Sequence, residues 1–287
     1  MNNLLKLAFI ILISFSCKKK DFDLGNNIIF NKETNISYGD NSLQKLDWYF
    51  PLTKDSVKGI FVIVHGGGWK AGNKSQLNFF MYSLMRKFPD YAFANINYRL
   101  ANNNTFILPN QTDDIQHSIS LLTEKCRILK INPDFILLGN SAGAHLSMLY
   151  GYNDFMYPKK YYSIKAIVNI VGPSDLYDKN FEAYPDYYFV KNRMIDLSAS
   201  VPKDLTNKDI PNPIFWISEK SPPTISFYGN RDQIIPLSQK TVLDSVLNKN
   251  KVYNQSFEFS GGHLDWENEK NTSFLIDRID IFLANIK

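Results

Sequence analysis

The stretch ILLGNSAGAHLSM, residues 136–148, holds the decisive pattern of this chain. Phe135, Ile136, Leu137 and Leu138 form an apolar run of the kind a buried strand needs, and an apolar helical pattern resumes over residues 142–152. Between them stand Gly139-Asn140-Ser141-Ala142-Gly143. A glycine two positions either side of Ser141 permits a turn too tight for side chains. Such a turn pushes the serine hydroxyl out of the sheet and sets the free N–H groups of a helix N-terminus beside it. Gly139-x-Ser141-x-Gly143 therefore reads as a nucleophile elbow, the plainer alternative being a tight turn with a capping serine.

Outward from the elbow, short apolar runs alternate with helical patterns. Strands are expected over residues 45–50, 60–64, 91–100, 135–138, 164–172, 223–229 and 255–259. Further helices are expected over residues 112–130, 237–247 and 272–286, with Asp113 and Asp114 placed to favour the dipole of the first. The β-branched run from Ile60 to Val64 suits a strand covered on both faces. This alternation predicts an α/β protein with a mainly parallel sheet between helical layers. In such sheets ligands bind beyond the carboxyl ends of the strands. Ser141, the loop after Val64, and the segments after Gly229 and Phe259 all fall there. Residues 175–220, rich in tyrosine, asparagine, proline and charge, break the rhythm and read as an insertion long enough to be a lid.

With 287 residues, 44% of them hydrophobic, the chain can bury a large core as one α/β domain. Part of its net charge of +4 sits in Lys18-Lys19-Lys20, and no basic stripe interleaved with aromatics supports nucleic-acid binding. Lys6 and the apolar run of residues 7–15 have the size of an export signal, too short to span a bilayer. The following SFSC resembles a bacterial lipoprotein signal, although Ser14 stands where such signals usually carry leucine. That resemblance implies removal of residues 1–16, lipidation of Cys17 and an exported protein whose only membrane contact is the lipid anchor; an ordinary cleaved signal is the alternative. Residues 17–27 are then expected as a polar tether and residues 28–287 as the folded domain. The second cysteine, Cys126, lies among Leu121, Leu122, Ile128 and Leu129, so no disulfide is expected.

Five pieces recur in a known order: VIVHGGGWKAGNKS (residues 62–75), INYRL (96–100), GNSAGAHLS (139–147), PPTISFYGNRDQIIP (222–236) and GGH (261–263). Together they resemble the α/β-hydrolases, and within them the esterase/lipase group that carries an HGGGW loop. That group includes hormone-sensitive-lipase-like esterases and secreted esterases of plant-polysaccharide degraders. The likeness runs from about residue 46 to the C-terminus. It implies an α/β-hydrolase fold, a mostly parallel central sheet flanked by helices, with a small lid insertion at 175–220.

Acyl transfer passes through a tetrahedral oxyanion, which N–H donors stabilise by several kcal/mol. Backbone donors approach closely only where no side chain intervenes, which Gly66-Gly67-Gly68 offers just past a strand. The resemblance implies that Gly67 and Gly68 donate from this loop and Ala142 from the elbow. Of the four histidines, His65 lies within the glycine loop, His117 within a helix, and His145 one turn beyond Ser141 along the helix flank. His263 follows the last expected strand in a loop free to reach the elbow, and is the candidate base. Asp232, after the strand ending at Gly229, is the candidate acid, because the order Ser141, Asp232, His263 matches that of the α/β-hydrolases. Asp175 is the rival; Asp265 is too near His263 in sequence. Asn140 and Ala144 depart from the aspartate and glycine that many relatives carry.

These roles describe hydrolysis through an acyl-enzyme, with no metal or organic cofactor expected. Export and the resemblance favour acetyl or feruloyl esters on polysaccharide, or related small esters. Two other readings stay open: an amide hydrolase (kynurenine-formamidase-like or peptidase) and a catalytically silent glycan-binding lipoprotein. Tyr177, Phe181, Tyr184, Tyr187, Tyr188 and Phe189 in the insertion suit either an acyl pocket or the packing of the lid.

Overall fold

A computed structural model describes residues 20–52, 56–102, 107–183, 205–206 and 209–286. The signal, Cys17, and Tyr184, Tyr187, Tyr188 and Phe189 of the insertion lie outside the described residues. The strands are β1 (Lys20–Asp23), β2 (Ile29–Ser37), β3 (Lys45–Pro51), β4 (Ile60–Val64), β5 (Ala92–Ile96), β6 (Asp134–Asn140), β7 (Ser163–Ile170), β8 (Thr224–Gly229) and β9 (Asn254–Phe259). The helices are α1 (Asn78–Lys87), α2 (Asn110–Leu129), α3 (Ala142–Tyr152), α4 (Ser238–Lys249) and α5 (Glu269–Asn285). All the strands join one sheet in the order β1-β2-β3-β5-β4-β6-β7-β8-β9. β1 to β3 are antiparallel and meet β5 antiparallel, while β5, β4, β6, β7, β8 and β9 run parallel. The chain thus folds as an α/β-hydrolase sheet, with the reversed strands gathered at one side.

Alternation along each central strand divides the core in two. In β4, Ile60, Val62 and Val64 face a layer built on Ile115, Ile119, Leu122 and Cys126 of α2 and Leu146 and Leu149 of α3. Phe61 and Ile63 face Phe80, Met81, Leu84 and Met85 of α1 and Leu275, Ile279 and Phe282 of α5. Every residue of β4 is buried, as its β-branched run requires between two covered faces. Each such side chain contributes about 1.5–3 kcal/mol on leaving water. Parallel register aligns the carboxyl ends: Val64 pairs with Gly139, Asn140 with Ile170, and Gly229 with Phe259. The loops that follow these strands therefore open at one edge of the sheet.

Three elements go beyond what the sequence suggests. β1 pairs with β2 from Lys20 onward, which corrects the expected tether: within residues 17–27, residues 20–23 form a strand. β2 is a half-buried strand without clear alternation, and α1 follows the glycine loop directly. β5 is shorter than expected: past Ile96, Asn97 Oδ1 and Tyr98 Oη turn to the glycine loop, and the Arg99 amide turns to Asp114 of α2. Asp114 differs too. It is fully buried and takes Arg99 through Nε and Nη2, together with the Arg99 amide and Gln44 Nε2, so its charge answers a guanidinium rather than a helix dipole.

Candidate active site

The elbow forms as its glycines dictate. Ser141 stands between β6 and α3 at φ 51° and ψ −122°, a strained conformation for a side chain. Its amide donates to Ile170 O at 2.8 Å, and its carbonyl accepts from His145 N at 3.0 Å. A Cβ on Gly139 would lie 2.4 Å from Gly143 C, and one on Gly143 would lie 2.1 Å from Val64 O. Neither position has room for any other residue. The second contact also shows that the loop after β4 rests directly on the elbow.

That loop turns at Gly67 and Gly68, with φ 109° and 57°. Gly67 O accepts from the amides of Lys70 and Ala71, closing the turn. Around it the loop is tied down. His65 Nδ1 donates to Gly66 O at 2.7 Å, and its ring stacks on Tyr98 with centroids 4.3 Å apart. Tyr98 Oη donates to His65 O at 3.0 Å. Lys74 donates its amide to Asn97 Oδ1 and its ammonium to Asp47 Oδ2 at 2.9 Å. Ala142 is the first residue of α3, so its N–H belongs to the helix start, where no intrahelical acceptor exists. The three expected oxyanion donors, Gly67, Gly68 and Ala142, thus sit on two segments in contact.

The structure brings Ser141, His263 and Asp232 together. His263 Nε2 lies 3.0 Å from Ser141 Oγ, and His263 Nδ1 lies 2.8 Å from Asp232 Oδ2. The other oxygen, Asp232 Oδ1, accepts from the amides of Ile234 and Ile235 at 2.8 and 2.9 Å. The Asp232 side chain is 1% exposed and that of His263 11%. A carboxylate only accepts, so Nδ1 carries the imidazole proton and Nε2 is left to take the proton of Ser141 Oγ. The GGH loop is held by its neighbours: Asp265 Oδ2 accepts from the Gly262 amide, and Asn230 Oδ1 from the Gly261 amide.

The rivals have other employment. Asp175 Oδ1 accepts from the Tyr177 amide in its own turn, and Asp265 shapes the loop around His263. His117 is exposed on α2. His65 and His145 are buried, and burial pushes the pKa of each down to about 4, so both are neutral near pH 7. Cys126 is buried and free. Asn140 is buried beside Gly66, where a Cβ on the glycine would meet its side-chain amide at 2.9 Å.

Several supports carry no signal in the sequence. Gln239 of α4 takes the amides of Ser174 and Asp175 on Oε1 and donates to Asp175 O, fixing the start of the insertion. Asn212 Oδ1 accepts from the Leu176 amide at 2.7 Å and ties together the described ends of the segment expected as an insertion. Neither residue lies in a motif, so no local pattern marks it.

Among curated proteins, the chain is 27% identical over 218 residues to the esterase LipC of Mycobacterium tuberculosis, covering 71% of this chain and 52% of that protein. It is 26% identical over 231 residues to the isoprenylcysteine alpha-carbonyl methylesterase ICME of Arabidopsis thaliana, covering 76% of this chain and 53% of that one. The chain spans about half the length of these curated relatives. A truncated carbohydrate esterase from gut microbiota superposes with a TM-score of 0.71 at 18% identity, over 91% of this chain and 99% of that one, a likeness of fold. The BD-FAE family model matches residues 46–247, which take in the glycine loop, the elbow and Asp232. The chain therefore belongs to the BD-FAE family, a family of α/β-hydrolase esterases.

Proposed function

We propose that this chain is a serine carboxylesterase that removes acetyl or feruloyl groups from polysaccharide or related small esters, and that it works outside the cytoplasm on a lipid anchor at Cys17. The serine-esterase chemistry in this reading is carried by one observation, His263 bridging Ser141 Oγ at 3.0 Å and Asp232 Oδ2 at 2.8 Å.

In this mechanism His263 Nε2 takes the proton as Ser141 Oγ attacks the ester carbonyl. Asp232 holds the imidazole by Nδ1–H and stabilises the imidazolium. Its second oxygen is occupied by two amides, so the carboxylate does not rotate away. The oxyanion accepts from the N–H groups of Gly67, Gly68 and Ala142. The alcohol leaves with the proton from His263, and a water activated by the same nitrogen then releases the acid. The substrate class rests on the carbohydrate esterase of the same fold and on the family itself.

Hydrolysis of p-nitrophenyl acetate by the chain from residue 18 onward, beside its Ser141→Ala variant, tests the chemistry. Wild-type turnover that the variant lacks is expected; equal rates would remove the esterase reading. A panel of acetylated xylan, feruloylated arabinoxylan and N-formylkynurenine tests the substrate, with release from the two polysaccharides expected. Preference for the formyl amide would replace the ester reading by that of an amide hydrolase. Palmitate label on the full chain, absent from Cys17→Ala, is the expected result for the anchor.

A further inference from the structure

His145 plays no part in the proton transfers, yet it is fully buried and both ring nitrogens are engaged. Trp69 Nε1 donates to His145 Nδ1 at 3.2 Å, and the two rings pack edge to face with centroids 5.3 Å apart. His145 Nε2 lies 2.8 Å from Pro211 O. An indole N–H can only donate and a carbonyl can only accept. The imidazole is therefore held in one tautomer, with its proton on Nε2 and its lone pair on Nδ1.

Each partner belongs to a different segment of the chain. Trp69 is the last residue of the HGGGW loop and is 2% exposed, with φ 62°, a conformation a tryptophan keeps only when its surroundings impose it. His145 is on the elbow helix, and its amide donates to Ser141 O. Pro211 adjoins Asn212, which ties together the described ends of the expected insertion through the Leu176 amide. Trp69, Leu146, Phe181 and Ile210 share one apolar cluster, so the same three segments are also packed against one another.

We propose that His145 is a positioning residue, whose single tautomer fixes the glycine loop through Trp69 and registers that loop against the foot of the insertion at Pro211. The geometry of the loop that supplies Gly67 and Gly68 then depends on the bonds His145 makes to Trp69 and Pro211. This rests on the esterase reading, since it assigns those amides to the oxyanion.

The test compares kcat and KM for p-nitrophenyl acetate in wild type, Trp69→Phe, His145→Leu and the double variant, with thermal unfolding of each. Trp69→Phe removes one N–H and keeps a ring. His145→Leu fills most of the space and removes both bonds. A loss of about ten- to a hundredfold in kcat is expected from a misplaced loop, with KM little changed. The double variant should be no slower than the worse single one, because both break one chain of contacts. His145→Gln, whose amide offers one donor and one acceptor, should recover part of the rate. Folded Trp69→Phe with wild-type kcat overturns the relay, even where His145→Leu does not fold. An active wild type beside unaffected variants overturns the relay alone, whereas an inactive wild type overturns the esterase reading beneath it.

Discussion

Ser141 and the glycines around it show how much one local conformation demands. A serine at φ 51° costs of order 1–3 kcal/mol, which the packing of β6 and α3 sustains because it leaves the chain no other path. Gly143→Ala would put a methyl group 2.1 Å from Val64 O, a backbone atom in a central strand that cannot retreat. That variant should unfold several degrees lower and lose its esterase activity, as thermal melting and p-nitrophenyl acetate turnover would show. Asp232→Asn leaves the shape intact but offers the wrong group to Nδ1–H, so kcat should fall by about four orders of magnitude. Retention of activity within tenfold would hand the acid's role to another carboxylate.

At the scale of elements, ion pairs inside the fold hold the loops that the strands deliver. Asp114 on α2 binds the Arg99 side chain and amide, and so ties the end of β5 to the helix. Asp114→Ala would leave the guanidinium, 17% exposed, without its buried partner. A loss of about 3 kcal/mol in urea unfolding is expected, with kcat reduced because Tyr98, next in the chain, braces the glycine loop. The motif INYRL signals that Arg99 matters, yet its partner lies 15 residues on and reads locally as an ordinary acidic residue in a helix's first turn. α1 and β2 also lie outside the elements expected from the sequence. α1 keeps a helical period, with Leu77, Phe80, Met81, Leu84 and Met85 buried on one face, whereas β2 is half-buried along most of its length and keeps no clean alternation.

For the whole molecule, the buried neutral histidines set an acid limit. His65 and His145 take up protons near pH 6.5 in the unfolded chain but only near pH 4 in the folded one, because burial penalises the charged ring. Their contribution is present in full above pH 6.5 and drains away as the pH falls to 4, by about 3 kcal/mol for each ring. Urea unfolding followed from pH 7 to pH 4 should show this decline, and His145→Gln should remove roughly half of its slope. A stability flat across that range would mean that neither ring is as dry as its surroundings indicate.

The parallel strands, the elbow with Ser141 and the glycine loop could be read from the chain alone, because each depends on residues adjacent in sequence: an apolar run, a pair of glycines, a turn after a strand. Asp232 and His263 are legible through their order along the chain, which matches that of the α/β-hydrolases. Other long-range partners are not. That Asp114 neutralises Arg99 and that His145 joins Trp69 to Pro211 follow from the folded sheet, whose parallel register brings the strand ends to one edge and packs distant loops together. Local pattern determines what a segment is. Burial and distance decide which segments meet, and those are properties of the folded sheet.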